Sequence, residues 1–147
     1  MASVIDICNL ALAPLGDEAT VSSISPPEGS AQAELCARFY PIARDTLLEE
    51  AEPLFARTRT TLAALSSTVG QWAYAYPRPA DALKVLRLYA PGTDDNSTPP
   101  DYQIETLADG SVVILTDTAA ASVRYVRRAT DPTKFSEIGR ASCRERV

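Results

Sequence analysis

The sequence predicts an α+β fold: N-terminal antiparallel helices, the second one kinked, packed with a small, mainly antiparallel β-sheet. Three observations predict it. Apolar residues recur at helical spacing up to Ala51, and the period changes after Pro53. From Gln71 onward, short alternating runs are broken by Pro, Gly and Asp. Helices precede strands instead of alternating with them, which argues against βαβ units. Residues 1–136 read as a single domain, with a helical part at 3–52 and a β-rich part at 53–130.

The first helix starts at a Ser3 cap, with Asp6 as a short capping box. Ile5, Cys8, Leu12 and Leu15 recur along one face, widened by Val4 and Ala11, and Gly16 supplies a C-terminal stop. Pro14 tightens or frays the last turn. The stretch 17–29 is a loop with Val21 and Ile24 as its apolar anchors. Ser30 caps a second helix, whose main stripe is Ala31, Leu35, Phe39, Ile42 and Leu47, helped by Cys36, Tyr40, Ala43 and Leu48. Pro41 falls inside it and predicts a kink, and the helix ends near Ala51.

Residues 55–62 read as extended chain or a short irregular helix. Residues 71–76 place Trp72, Tyr74 and Tyr76 on one face of a strand. Residues 85–89 form the next strand, followed by an acidic, proline-bearing loop over 90–100. Three short strands complete the chain at 102–106, 111–116 and 121–128, with Asp109-Gly110 as a hairpin turn between the first two.

Composition excludes several chemistries. Net charge is -5, which is ill-suited to gripping phosphate backbones over the whole surface. Histidine is absent, removing the commonest general base and zinc ligand. Cys8 and Cys36 read as two buried thiols in a reducing compartment rather than a disulfide. No signal peptide and no membrane-spanning run is evident, so a soluble chain made in a cytoplasm is expected. No cofactor motif is present: the sequence lacks a glycine-rich phosphate loop and a Cys-x-x-Cys pair.

The acidic clusters Asp17-Glu18 and Glu49-Glu50-Glu52 read as solvated charge. Arg57, Arg59, Arg124, Arg127 and Arg128 form two basic patches whose alternation suggests one face. They serve either as ion-pair partners or as an inter-subunit contact. Trp72, Tyr74 and Tyr76 suit core packing better than a binding platform.

The string EIGRASCRERV from Glu137 to the end resembles one translated frame of a sequencing adapter. It has no apolar periodicity, so residues 137–147 are expected to be a non-native scar and the natural C-terminus to be missing.

The order of motifs resembles a phage family. It begins with Asn9-Leu10-Ala11-Leu12 and Leu15-Gly16. Ser30-Ala31, Cys36, Tyr40-Pro41, Arg44-Asp45 and Leu47-Leu48 follow. Next come Trp72-Ala73-Tyr74-Ala75-Tyr76-Pro77 with Pro79, Asp81 and Leu83, then Arg124-Tyr125-Val126, Asp131 and Phe135. The set is similar to the tail tubular protein A type of head-tail adaptor, and to the related head-completion factors, of short-tailed phages. Leu54-Phe55 stands where that family usually has a tryptophan, and its helix after Phe135 is missing.

The resemblance implies a structural virion protein rather than an enzyme. Its subunits form a homo-oligomeric ring, typically of twelve, in the phage neck. The ring docks on the portal protein, seals packaged double-stranded DNA and seats the tail nozzle protein. It binds no specific DNA sequence and no membrane. An acidic channel wall would let DNA slide. The alternatives are a virion-associated cell-wall hydrolase using two carboxylates and a small bacterial interaction module.

Overall fold

The computed structural model describes residues 3–17 and 20–135; the adapter-like string and Glu18 lie outside them. The chain is an α+β protein that divides into two compact units. One gathers the described residues up to Ala56 together with those from Arg128. The other spans Arg57–Arg127.

In the first unit, helix α1 (Val4–Leu12) opens on a complete capping box. The Ser3 hydroxyl accepts from the Asp6 amide at 3.1 Å, and the Asp6 carboxylate accepts from the Ser3 amide at 2.7 Å. A 3-10 turn (Ala13–Leu15) carrying Pro14 follows, closed by Gly16 at φ 75°. That left-handed conformation suits glycine. The tighter turn alters the expected stripe. At three residues per turn it swings Leu15 into solvent, whereas Ile7 joins Cys8 in the core.

Helix α2 (Ala31–Ala51) starts at Ser30, whose hydroxyl accepts from the Ala33 amide, and runs through Pro41. It buries Ala33, Cys36, Tyr40, Ala43 and Leu48. The expected main stripe is displaced: Leu35, Phe39 and Ile42 are 50%, 45% and 60% exposed. The buried set follows i, i+3, i+7 and i+10 from Ala33, one helical face away. Both stripes have helical spacing. Small side chains, Ala33, Cys36 and Ala43, make up most of the inward face, together with Tyr40 and Leu48. Ile7, Cys8, Cys36 and Tyr40 form one cluster, flanked by Val4, Leu12, Ile24 and Leu47. The two thiols are buried and no disulfide joins them.

Asn9 ties the following loop to α1. Its Oδ1 accepts from the Val21 amide at 2.7 Å, and its Nδ2 donates to the Val21 carbonyl at 3.0 Å. Val21 is thereby buried in a segment without regular structure. At the other end of the unit, Arg128 donates through Nε to Asp45 at 2.8 Å, and Phe55 stacks on Phe135 at 5.3 Å.

The second unit holds two three-stranded antiparallel sheets, where a single small sheet was expected. The strands are β1 (Arg57–Thr61), β2 (Tyr74–Pro77), β3 (Ala82–Tyr89), β4 (Tyr102–Thr106), β5 (Val112–Thr116) and β6 (Ser122–Arg127). Their orders are β1-β6-β3 and β2-β5-β4. Both sheets contribute to one core: Tyr76 and Ile114 from one, Leu88, Val123 and Tyr125 from the other, with Leu62, Ala82 and Ala121. Each inner face is apolar at every second residue, so facing sheets bury both. The Asp109-Gly110 hairpin forms as expected, with Gly110 at φ 87° and Asp109 accepting from the Ser111 amide and hydroxyl.

Tyr74 and Tyr76 share a face, with rings 6.3 Å apart. Trp72 does not join them. It precedes β2 and packs with Val69 and Leu107 over Ala75, Val113 and Leu115, a second cluster distinct from the shared core. Pro77 ends β2, an edge strand where a missing amide is tolerated. Tyr76 is fully buried. Its hydroxyl donates to the Thr118 carbonyl at 2.8 Å and accepts from the Ala121 amide at 3.4 Å.

Tyr76→Phe removes the partner of a buried amide and is expected to cost about 1–3 kcal/mol in urea unfolding. Asn9→Ala is expected to cost a similar ~1–3 kcal/mol, because it strands both Val21 backbone groups. Trp72→Ala, at a half-buried site, is expected to cost about 2 kcal/mol, less than Leu88→Ala at about 3–4 kcal/mol.

Candidate functional site

Alternation along a strand decides which side chains share a face, and register decides which stand abreast. In the β1-β6-β3 sheet, Arg124 pairs with Arg59 on one side and Arg87 on the other. Val126, two residues on, pairs with Arg57 and Lys84, and Ser122 pairs with Tyr89. Five cationic residues therefore stand on the face opposite the core.

Like charges at neighbouring positions repel, and the structure answers with two counterweights. The first is the Tyr89 ring, itself buried. The Arg59 guanidinium lies 3.9 Å from its centroid, and those of Arg87 and Arg124 lie at 5.3 Å. The second is Asp95, brought over by the loop between β3 and β4. Arg124 Nη2 donates to its two carboxylate oxygens at 2.7 and 2.8 Å, Arg59 Nη2 donates at 3.0 Å and the Tyr89 hydroxyl at 2.6 Å. Arg87 donates to the Ser97 carbonyl, attaching the same loop a second time.

The electrostatics follow from these contacts. The hydrogen bond from Arg124, then that from Tyr89, lowers the Asp95 pKa to about 2. Burial and the bond to Asp95 raise the Tyr89 pKa. The bond to Asp95 raises that of Arg124. The loop is ordered internally by Asp94, which accepts from the Asn96 and Ser97 amides. Beside it, Leu86, Arg87, Pro99, Pro100, Asp101 and Tyr102 line an open depression.

The five arginines expected on one face do not gather there. Arg57, Arg59 and Arg124 share it. Alternation along β6 sets Arg127 with Val123 and Tyr125 on the other face, and Arg128 belongs to the helical unit, paired with Asp45. A strand turns its side chain over at each residue, so a run of adjacent arginines must divide. Arg87, Tyr89 and Asp95 were not singled out in the sequence. The one signal was the length of the 90–100 loop, since long loops in small domains are often functional.

The motif residues have structural work. Asn9 clamps Val21, Gly16 caps, Leu12 flanks the helical cluster, and Cys36, Tyr40 and Leu48 are buried. Asp17 accepts from Gln32 at 2.9 Å. Glu49 and Glu50 lie exposed on the last turn of α2. Asp6, Glu28, Asp94, Asp95, Asp109 and Asp131 have lowered pKa values, through hydrogen bonds from Ser, Thr or Arg neighbours. A general acid needs the opposite shift. Among the described residues, no group of three or more His, Cys, Asp or Glu is placed to hold a metal ion, and no helix is long and apolar enough to cross a membrane.

No protein-family model matches the chain, and no curated protein matches its sequence.

Asp95 carries a lowered pKa in the folded chain, so its contacts contribute stability above its ordinary value of 3.8 and lose it as pH falls toward about 2. A carboxyl-carbon NMR titration of Asp95 is expected to show a midpoint near 2, and Arg124→Ala is expected to move that midpoint up toward 3.8.

Proposed function

We propose that the chain is a structural subunit of a phage head-tail connector ring. It docks on a portal protein, helps to seal packaged DNA and offers a seat to the tail nozzle. The observation that carries this reading is the exposed apolar stripe Leu35, Phe39 and Ile42 on α2. Exposed apolar patches of this kind mark protein–protein contacts. Leu10, Leu15 and Leu54 add apolar surface elsewhere on the same unit. The motif order from Asn9 to Phe135 supports the same reading by resemblance, and its residues clamp, cap and fill cores instead of converging on a reaction centre.

A ring suits this surface physically. Each subunit contact is weak, but a closed ring engages many at once. A net charge of -5 disfavours adhesion of DNA passing through the bore.

Co-expression with the portal protein encoded at the same locus is expected to yield a ring–portal complex in sedimentation and electron microscopy. A monomer with no affinity for that portal, or a ring with a strongly basic bore, overturns the reading. Phe39→Asp is expected to abolish assembly while changing stability by no more than ~0.5 kcal/mol, as at other surface sites.

A further inference from the structure

The arginine face has a receptor and an occupant that belong to different parts of the fold. The donors sit on three paired strands: Arg59 on β1, Arg124 on β6 and Tyr89 on β3. Their positions are set by the sheet ladder and by the stacking of Arg59 on Tyr89. The acceptor, Asp95, sits on the connecting loop, and its side chain is 57% exposed. Hydrogen bonds from Arg124, Arg59 and Tyr89 converge on this one carboxylate. Such a set of fixed donors is how proteins recognise carboxylates. An ion pair open to water is weak and exchanges with competing ions.

We propose that Arg59, Arg124 and Tyr89 form a binding site for a carboxylate on an acidic segment of a partner protein. Asp95 fills this site from within the chain until the partner displaces it. The site goes beyond the connector reading and stands or falls separately from it. Its chemistry is defined by its occupant, a single carboxylate offered by an irregular, proline-flanked loop. Arg87, abreast of Arg124, extends the row, so strands about 4.8 Å apart carry three guanidiniums along a line. An extended acidic segment matches that row. A nucleic-acid backbone fits less well, because gripping its regularly repeated phosphates takes basic charge spread over a wide surface, whereas this chain has a net charge of -5 and one short row shaped around a single carboxylate.

The test uses the full chain at low salt, with a fluorescent Asp/Glu-rich peptide and a short DNA duplex as probes. Asp95→Asn is expected to bind the peptide at least about tenfold more tightly than the unaltered chain, by anisotropy. Adding Arg124→Gln is expected to abolish that gain, and salt at about 0.3 M to weaken it. A second measurement needs no variant: the Asp95 carboxyl resonance of the unaltered chain is expected to move as peptide is added. The proposal is overturned if Asp95→Asn binds no better, if the gain survives Arg124→Gln, if the duplex gains more than the peptide, or if the Asp95 resonance stays fixed at saturating peptide.

Discussion

The buried hydroxyl of Tyr76 is the contact on which the β unit depends. The chain leaves β5 in one sheet and enters β6 in the other through residues 117–121. Tyr76, on β2, reaches this crossing and bonds to Thr118 and Ala121. The Ala121 carbonyl in turn accepts from the Leu62 amide at 2.9 Å, just past the end of β1. One side chain thus satisfies polar backbone groups at the point where neither ladder does, and its ring fills the core between the sheets. Buried backbone groups left unpaired are costly, so this position is constrained in both shape and chemistry.

The charged face follows from that arrangement. Because Val123 and Tyr125 turn inward to meet Tyr76, Arg124 must turn outward. The antiparallel register then brings Arg59 and Arg87 beside it. Three guanidiniums abreast would repel one another. Tyr89 and Asp95 relieve this with a ring face and a carboxylate, while the loop from β3 to β4 is held against the sheet. Packing and electrostatics are therefore linked: the same alternation that builds the core concentrates basic charge on the opposite side of an acidic chain.

In the helical unit, two apolar stripes compete on α2. Leu35, Phe39 and Ile42 are the larger side chains, and hydrophobicity alone assigns them inward. Ala33, Cys36, Tyr40, Ala43 and Leu48 are the residues actually buried. Close approach favours small residues on the buried face, with Tyr40 and Leu48 as its large groups. The outcome depends on the shape offered by Ile7, Cys8 and Ile24, which belong to other segments. Periodicity identifies a helix but cannot rank two faces of equal period.

Features that depend on near neighbours in the chain can be read directly from the residues. The Ser3 and Ser30 caps, the Gly16 stop, the anchors Val21 and Ile24, the Asp109-Gly110 hairpin and the approximate strand positions were all legible, because each rests on a few adjacent residues. Of the candidate site, Arg57, Arg59 and Arg124 were legible as charges. Their gathering was not, nor was the part played by Arg87, Tyr89 and Asp95. The division into two sheets, the buried face of α2, the separation of Trp72 from Tyr74 and Tyr76, and the convergence on Asp95 emerge only from long-range packing. These depend on register and packing between residues far apart in the chain, such as the paired Arg57 and Val126. The free energy of such pairings is shared among many distant groups, so no local stretch encodes it.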